Sequence, residues 1–194
     1  MKVVFPKAYA YLSRFREALG ERRDAVLMRS KESIPFYAIG AVSEYTFAPY
    51  KVVWGRIASR MDASVVSTSE GRVVIPQETI SLVGCDEVDE AHYICATLNS
   101  SPFNFSLQSY SQKGGKSFGT PSILENVCVP KYDLNNPTHL ALGDLSQQAH
   151  AATAAGDAAR VREIEAEVDR LAAQLWGLTD AELREIQESL TELG

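Results

Sequence analysis

The chain has 194 residues, of which 45% are hydrophobic and 23% are charged, and its formal net charge is −6. This composition predicts a globular protein with a sizeable core. No run of about 18 apolar residues occurs, so the sequence predicts no membrane span, and the amino end does not resemble a secretory signal.

The cysteines and histidines are few and scattered. Cys85, Cys95 and Cys128 lack the paired spacing of a disulfide or zinc framework, so we interpret them as reduced residues in a cytoplasmic protein. The three histidines are far apart in sequence, and this spacing predicts no metal site.

The charge is unevenly distributed along the chain. Residues 1–60 contain 11 Lys and Arg against 5 Asp and Glu, whereas residues 137–194 contain 4 against 11. An acidic protein with one basic third can bind a polyanion through a local patch. The overall acidity argues against strong DNA binding by the chain alone, and contacts to phosphates would be sensitive to salt.

The periodicity predicts an α+β fold with three parts. A helix over residues 6–30 forms an amino-terminal segment (1–33), because Tyr9, Leu12, Phe15 and Leu19 recur at helical spacing. A mixed β-sheet domain (34–136) follows. Its predicted strands are residues 34–40, 51–57, 63–67, 72–75 and 79–85, and its predicted helix is 87–99.

The third part is a coiled-coil-like helical tail (137–194). Helices are predicted over residues 137–155 and from residue 161 to Gly177. Thr179 and Glu182 fit a capping box that opens a last helix. We expect this tail to pack on itself or on a partner, and its acidity argues against contact with DNA there.

Two features offer groups that can bind nucleic acid. Gly114 and Gly115 predict a sharply bent loop, and its flanking side chains carry amide, ammonium and hydroxyl groups that suit phosphates or base edges. The same composition is typical of an ordinary solvated loop. The aromatic set Tyr45, Phe47, Tyr50 and Trp54 can stack bases, although such clusters more often form core.

Several segments, in this order, resemble the carboxyl-terminal target-recognition region of adenine-specific DNA methyltransferases. They are YAIG (37–40), YTFAPYKVVW (45–54), KSFGTPSI (116–123), VCVP (127–130), VDRL (168–171) and LWGLT (175–179). The group is that of type II and type IIG restriction-modification enzymes with a TaqI-like specificity domain. Type I specificity subunits have a similar glycine-containing turn followed by a strand that ends in proline.

The resemblance implies a DNA-reading domain separated from its catalytic domain. Methyl transfer in this family needs an Asn/Asp-Pro-Pro-Tyr/Phe motif and S-adenosylmethionine. The nearest segment here, Asn135-Asn136-Pro137-Thr138, lacks the second proline and the aromatic residue. We therefore expect no catalytic residue, cofactor site or metal site in this chain. Its expected partners are double-stranded DNA and a methyltransferase catalytic domain, on the same polypeptide or on a separate subunit.

On this hypothesis phosphate contacts set the register and a loop reads bases. Lys51, Arg56 and Arg60 contact phosphates, and residues 112–117 enter a groove. The full set of expected DNA contacts is Lys51, Trp54, Arg56, Arg60, Ser109, Tyr110, Gln112, Lys113, Lys116 and Ser117. The alternative is a protein-interaction scaffold that uses the acidic helical tail as its binding surface. A metal-dependent nuclease would need clustered carboxylates beside a lysine, and the sequence contains no convincing set.

Overall fold

The computed structural model describes residues 1–22, 34–40, 42–68, 71–77, 79–110, 120 and 124–193. They fall into two units, Met1–Glu44 and Tyr45–Gly194. The described residues have an α+β fold, and helices flank the antiparallel sheet of the second unit. None of the helices in the described ranges has both the length and the apolarity needed to cross a bilayer.

The first unit contains two short helices, α1 (Pro6–Ser13) and α2 (Arg16–Gly20), where the sequence predicted a single helix. The helix ends early because the amides of Arg14 and Phe15 bond to carbonyls three residues back, which tightens the last turn. The remainder of the predicted helix, from residue 23, lies outside the described residues.

Residues 34–40 form a turn at Phe36 and Tyr37 and otherwise lack regular structure, where the sequence predicted a strand. The Arg22 guanidinium donates hydrogen bonds to the carbonyls of Phe36 and Ala38 at 2.8 and 2.9 Å. Tyr9 contacts the rings of Phe36 and Tyr37 edge-on. These backbone acceptors are thus engaged by a side chain, where a strand would present them to a neighbouring strand.

The second unit is built on a sheet of strand order β2-β1-β3. Strand β1 is Tyr50–Gly55, β2 is Ala63–Ser67 and β3 is Ile80–Cys85. All three were predicted to within two residues. The further strand predicted at 72–75 does not form, and these residues lie on the connection between β2 and β3.

The two faces of the sheet are covered differently. On the inner face, Val52 and Trp54 pack with Cys95 and Leu98 of helix α3 (Val88–Asn99) in one apolar cluster. On the outer face, Lys51 lies opposite Gly84, and residues 45–48, which include most of a 3-10 turn (Glu44–Phe47), lie over this pair.

Helix α4 (Ser101–Tyr110) follows α3 almost directly. The sequence Ser100-Ser101-Pro102 was interpreted as a break leading to a loop, and residues 103–110 were not predicted as helical. The chain turns at Ser100, which has an extended backbone conformation, and then re-enters a helix.

The tail forms the three predicted helices, α5 (Pro137–Ala154), α6 (Ala158–Leu175) and α7 (Asp180–Leu193). Gly156 and Gly177 follow α5 and α6 with φ of 73° and 68°, a conformation that favours glycine. The predicted capping box is present, because the Glu182 carboxylate accepts from the Thr179 amide at 2.8 Å.

The tail packs into the same unit as the sheet. Leu142 of α5 joins Tyr93 of α3 and Ile164 and Val168 of α6 in a second apolar cluster. Helix α7 packs against α4. The apolar seam that was predicted along α6 therefore faces α5 and α3.

Candidate nucleic-acid interface

Two arginines lie on the connection that follows β1. Arg56 and Arg60 are both exposed, and the Arg56 amide donates to the Thr79 carbonyl at 3.0 Å. This bond attaches the start of the connection to the residue before β3. Both residues therefore lie on the connection at the end of the sheet where β1 finishes and β2 and β3 begin.

Helix α4 is fastened to the same connection. The Asn104 side-chain oxygen accepts from the Met61 amide at 2.7 Å, and the Asn99 oxygen accepts from the Ala63 amide at 2.7 Å. Each bond joins one helix to the chain immediately after Arg60. The arginine-bearing connection is consequently braced by α3 and by the first turns of α4.

Ser109 and Tyr110 occupy the last turn of α4 and are exposed. The Ser109 hydroxyl donates to the Phe105 carbonyl at 3.1 Å. Tyr110 is six residues beyond Asn104, a rise of about 9 Å along a helix. The other expected base-reading residues, Gln112, Lys113, Lys116 and Ser117, lie outside the described residues.

Lys51 has a different environment from the one expected of a phosphate contact. Its side chain is only 1% exposed, and its Nζ donates to the Ala48 carbonyl at 2.7 Å. Burial lowers the pKa of this ammonium group. In this conformation Lys51 fastens residues 45–48 to the outer face of the sheet.

Trp54 is likewise internal, at 3% exposure. Its indole packs with Met61, Leu98 and Phe103 beneath the sheet. Of the aromatic set considered for base stacking, Tyr45 and Phe47 are exposed and Tyr50 is partly buried. The structure therefore leaves Arg56 and Arg60 exposed on one connection, whereas Lys51 and Trp54 are buried within β1.

An apolar cavity of about 320 Å³ lies beside this core. Its walls include Trp54 and Val83 of the sheet, Ile94 of α3 and Phe103 of α4, and residues 124–132 close another side. Glu90, Lys131 and Tyr132 add polar groups to its lining, and burial together with nearby carboxylates raises the pKa of the Tyr132 phenol.

No group of histidine, cysteine and carboxylate side chains within the described ranges has an arrangement that could hold a metal ion. The thiols of Cys85 and Cys95 are buried, and burial raises the pKa of each to about 11. They are consequently poor nucleophiles at neutral pH.

Sequence reasoning did not identify the asparagine contacts that brace this region, nor the buried polar groups between α3, α5 and β2. The sequence did not predict the roles of Asn99 and Asn104, because no local pattern around a helical asparagine indicates which distant backbone group its side chain will bond. Comparison of the chain with protein-family models, with curated proteins and with solved structures found no match.

Proposed function

We propose that this chain is the DNA sequence-recognition domain of an adenine-specific, S-adenosylmethionine-dependent DNA methyltransferase of a restriction-modification system. The observation that carries the proposal is the order of the segments at 37–40, 45–54, 116–123 and 127–130, which resembles the target-recognition regions of these enzymes. The catalytic domain, with its cofactor site and the pocket for the flipped adenine, belongs to another part of the enzyme.

The arrangement of the described groups supports this role. Arg56 and Arg60 lie on a connection braced by Asn104, and α4 carries its chain about 9 Å from Asn104 to Tyr110. Successive nucleotides along one strand are about 3.4 Å apart, so this distance spans two to three nucleotides. The arginines bind phosphates in this proposal, and the segment that α4 leads into reads the bases.

The experiment measures duplex DNA binding and the methylated sequence in the chain joined to its methyltransferase domain. Arg56→Ala with Arg60→Ala should weaken binding to all sequences. The fall of log association constant with log salt concentration should become less steep by about 2, one per lost phosphate contact. Lys113→Ala with Lys116→Ala should instead alter which sequences are methylated, since one base contact discriminates by about 1–3 kcal/mol.

The matched control is Arg160→Ala. Arg160 is an exposed arginine of α6 that pairs with Glu163 at 3.0 Å on the acidic tail, and its removal should leave affinity and salt slope unchanged. Unchanged binding and sequence choice in both double variants would contradict DNA recognition. It would favour the alternative function, a protein-interaction scaffold that works through the acidic tail.

A further inference from the structure

Two imidazoles meet where α3, α5 and β2 come together. The rings of His92 on α3 and His150 on α5 are nearly perpendicular, with centroids 5.0 Å apart. Ser146 contacts both, because its Oγ is 2.9 Å from His92 Nδ1 and its carbonyl oxygen is 2.8 Å from His150 Nδ1. We call His92, Ser146 and His150 the imidazole cluster.

The imidazole cluster provides a hydrogen-bond acceptor at the edge of the sheet formed by β2. In the described part of the chain β2 pairs with β1 alone, so one side of β2 faces away from other strands. The Val65 amide of β2 donates to His150 Nε2 at 3.1 Å. Ala63, two residues earlier, accepts from the Cys95 thiol and from the Asn99 amide group. Side chains of α5 and α3 therefore form hydrogen bonds with backbone groups of β2 that would otherwise lack a partner at the edge of a sheet.

The two bonds of His150 select one protonation state. Its Nε2 accepts from the Val65 amide, so that nitrogen carries no proton. Its Nδ1 lies against the Ser146 carbonyl, which can only accept, so Nδ1 carries the ring proton. A second proton on Nε2 would turn the acceptor into a donor facing another donor and would remove the bond between α5 and β2.

His92 is also suited to the neutral form. Its pKa is lowered to about 4, chiefly by burial and secondarily by the nearby His150, while Asp89 opposes the shift. Among the described residues, the Cys95 thiol of α3 also lies beside Ser146, and Asp62, just before β2, lies near that thiol. From α6, Arg160 donates to Gln148 of α5.

We propose that the imidazole cluster is an acid-sensitive contact that holds α5 on the open edge of β2 near neutral pH and releases that edge as the pH falls. A group whose pKa is lower in the folded state stabilises that state fully above its unfolded pKa, about 6.5 for histidine. For His92 this stabilisation is lost progressively as the pH falls from about 6.5 to about 4.

The test is amide hydrogen exchange of the whole chain between pH 7.5 and 4.5, corrected for the intrinsic exchange rate. Below pH 6.5, the equilibrium constant for opening at the Val65 amide should rise as the pH falls. The rise should be up to about tenfold per pH unit for each proton that is taken up on opening. The amide of Val52, on the central strand, serves as the internal reference and should change less. If Val65 and Val52 respond equally, or Val65 does not respond, the proposal is wrong.

The variant His92→Gln with His150→Gln keeps hydrogen-bonding groups at both positions and cannot titrate in this range. It should lose most of the pH dependence at Val65. The control is His139→Gln, because His139 is also buried but accepts from the Asp133 amide and packs on Tyr93, away from the cluster. The control should retain the dependence at Val65. An unchanged pH slope in the double glutamine variant would overturn the proposal.

Discussion

Gly84 is the residue whose missing side chain determines how the outer face of the sheet is covered. A Cβ built on it would lie 2.8 Å from the Tyr45 carbonyl oxygen and 2.9 Å from the Ala48 Cβ. Real side chains do not approach backbone this closely, so residues 45–48 would have to move. Their movement would also disturb Lys51, which bonds to Ala48 from the paired position.

We therefore expect Gly84→Ala to lower the free energy of unfolding by about 1–3 kcal/mol, the cost of overpacking. The measurement is urea unfolding followed by circular dichroism. Gly55→Ala is the matched control in the same sheet, because the nearest atom to its new Cβ would be 3.9 Å away. Equal midpoints for the two variants would show that residues 45–48 do not rest on Gly84.

At the scale of elements, helix α4 depends on a residue of the tail for its amino-terminal cap. The Asp169 carboxylate of α6 accepts from the Ser101 amide at 2.7 Å and from the Ser101 hydroxyl at 2.6 Å. It also accepts from the Gln187 amide group of α7 at 2.8 Å. One buried carboxylate thus joins three helices, and its charge is favourable at the start of α4.

Replacing Asp169 with alanine should cost about 2–4 kcal/mol, because it removes the cap and leaves three donors without their acceptor. Thermal or urea unfolding measures the loss. Glu163→Ala is the control on the same helix, since Glu163 forms only an exposed ion pair and should cost under about 1 kcal/mol. A similar loss in both variants would contradict the capping role.

The same cap explains why the sequence predicted α3 and the tail helices but not α4. Local signals marked α3, α6 and α7: acidic residues at a helix start, a three-and-four apolar spacing and a capping box. The cap of α4 comes from a residue 68 positions away, so no local pattern in the sequence predicts it. Pro102, interpreted as a breaker, lies in the first turn, where proline is tolerated.

The candidate interface was predicted in part for a related reason. Arg56 and Arg60 follow a strand that the sequence located correctly, so their exposure on a connection agrees with expectation. Lys51 and Trp54 lie within that strand. The alternation of side chains along a strand places them on opposite faces of the sheet, but it does not indicate which residues cover each face. The coverage comes from residues 45–48 on one side and from α3 and α4 on the other, which are tertiary contacts.

At the scale of the whole molecule, the buried side chains belong to the second unit. None of the described residues of Met1–Glu44 is buried, and α1 and α2 leave Phe5, Tyr11 and Phe15 exposed. The second unit contains both apolar clusters, one beneath the sheet and one between α3, α5 and α6. Folding free energy should therefore reside mainly in residues 45–194.

Deleting residues 1–44 should accordingly leave a fragment that retains cooperative unfolding and a urea midpoint close to that of the full chain. The contrasting deletion removes residues 180–194, which include α7 and the buried Leu183 and leave Asp169 without Gln187. This shorter chain should unfold at lower urea, because it loses buried apolar area and a bond to a buried carboxylate. Circular dichroism and tryptophan fluorescence follow both transitions. Greater damage from the amino-terminal deletion than from the carboxyl-terminal one would contradict this assignment of the folding free energy.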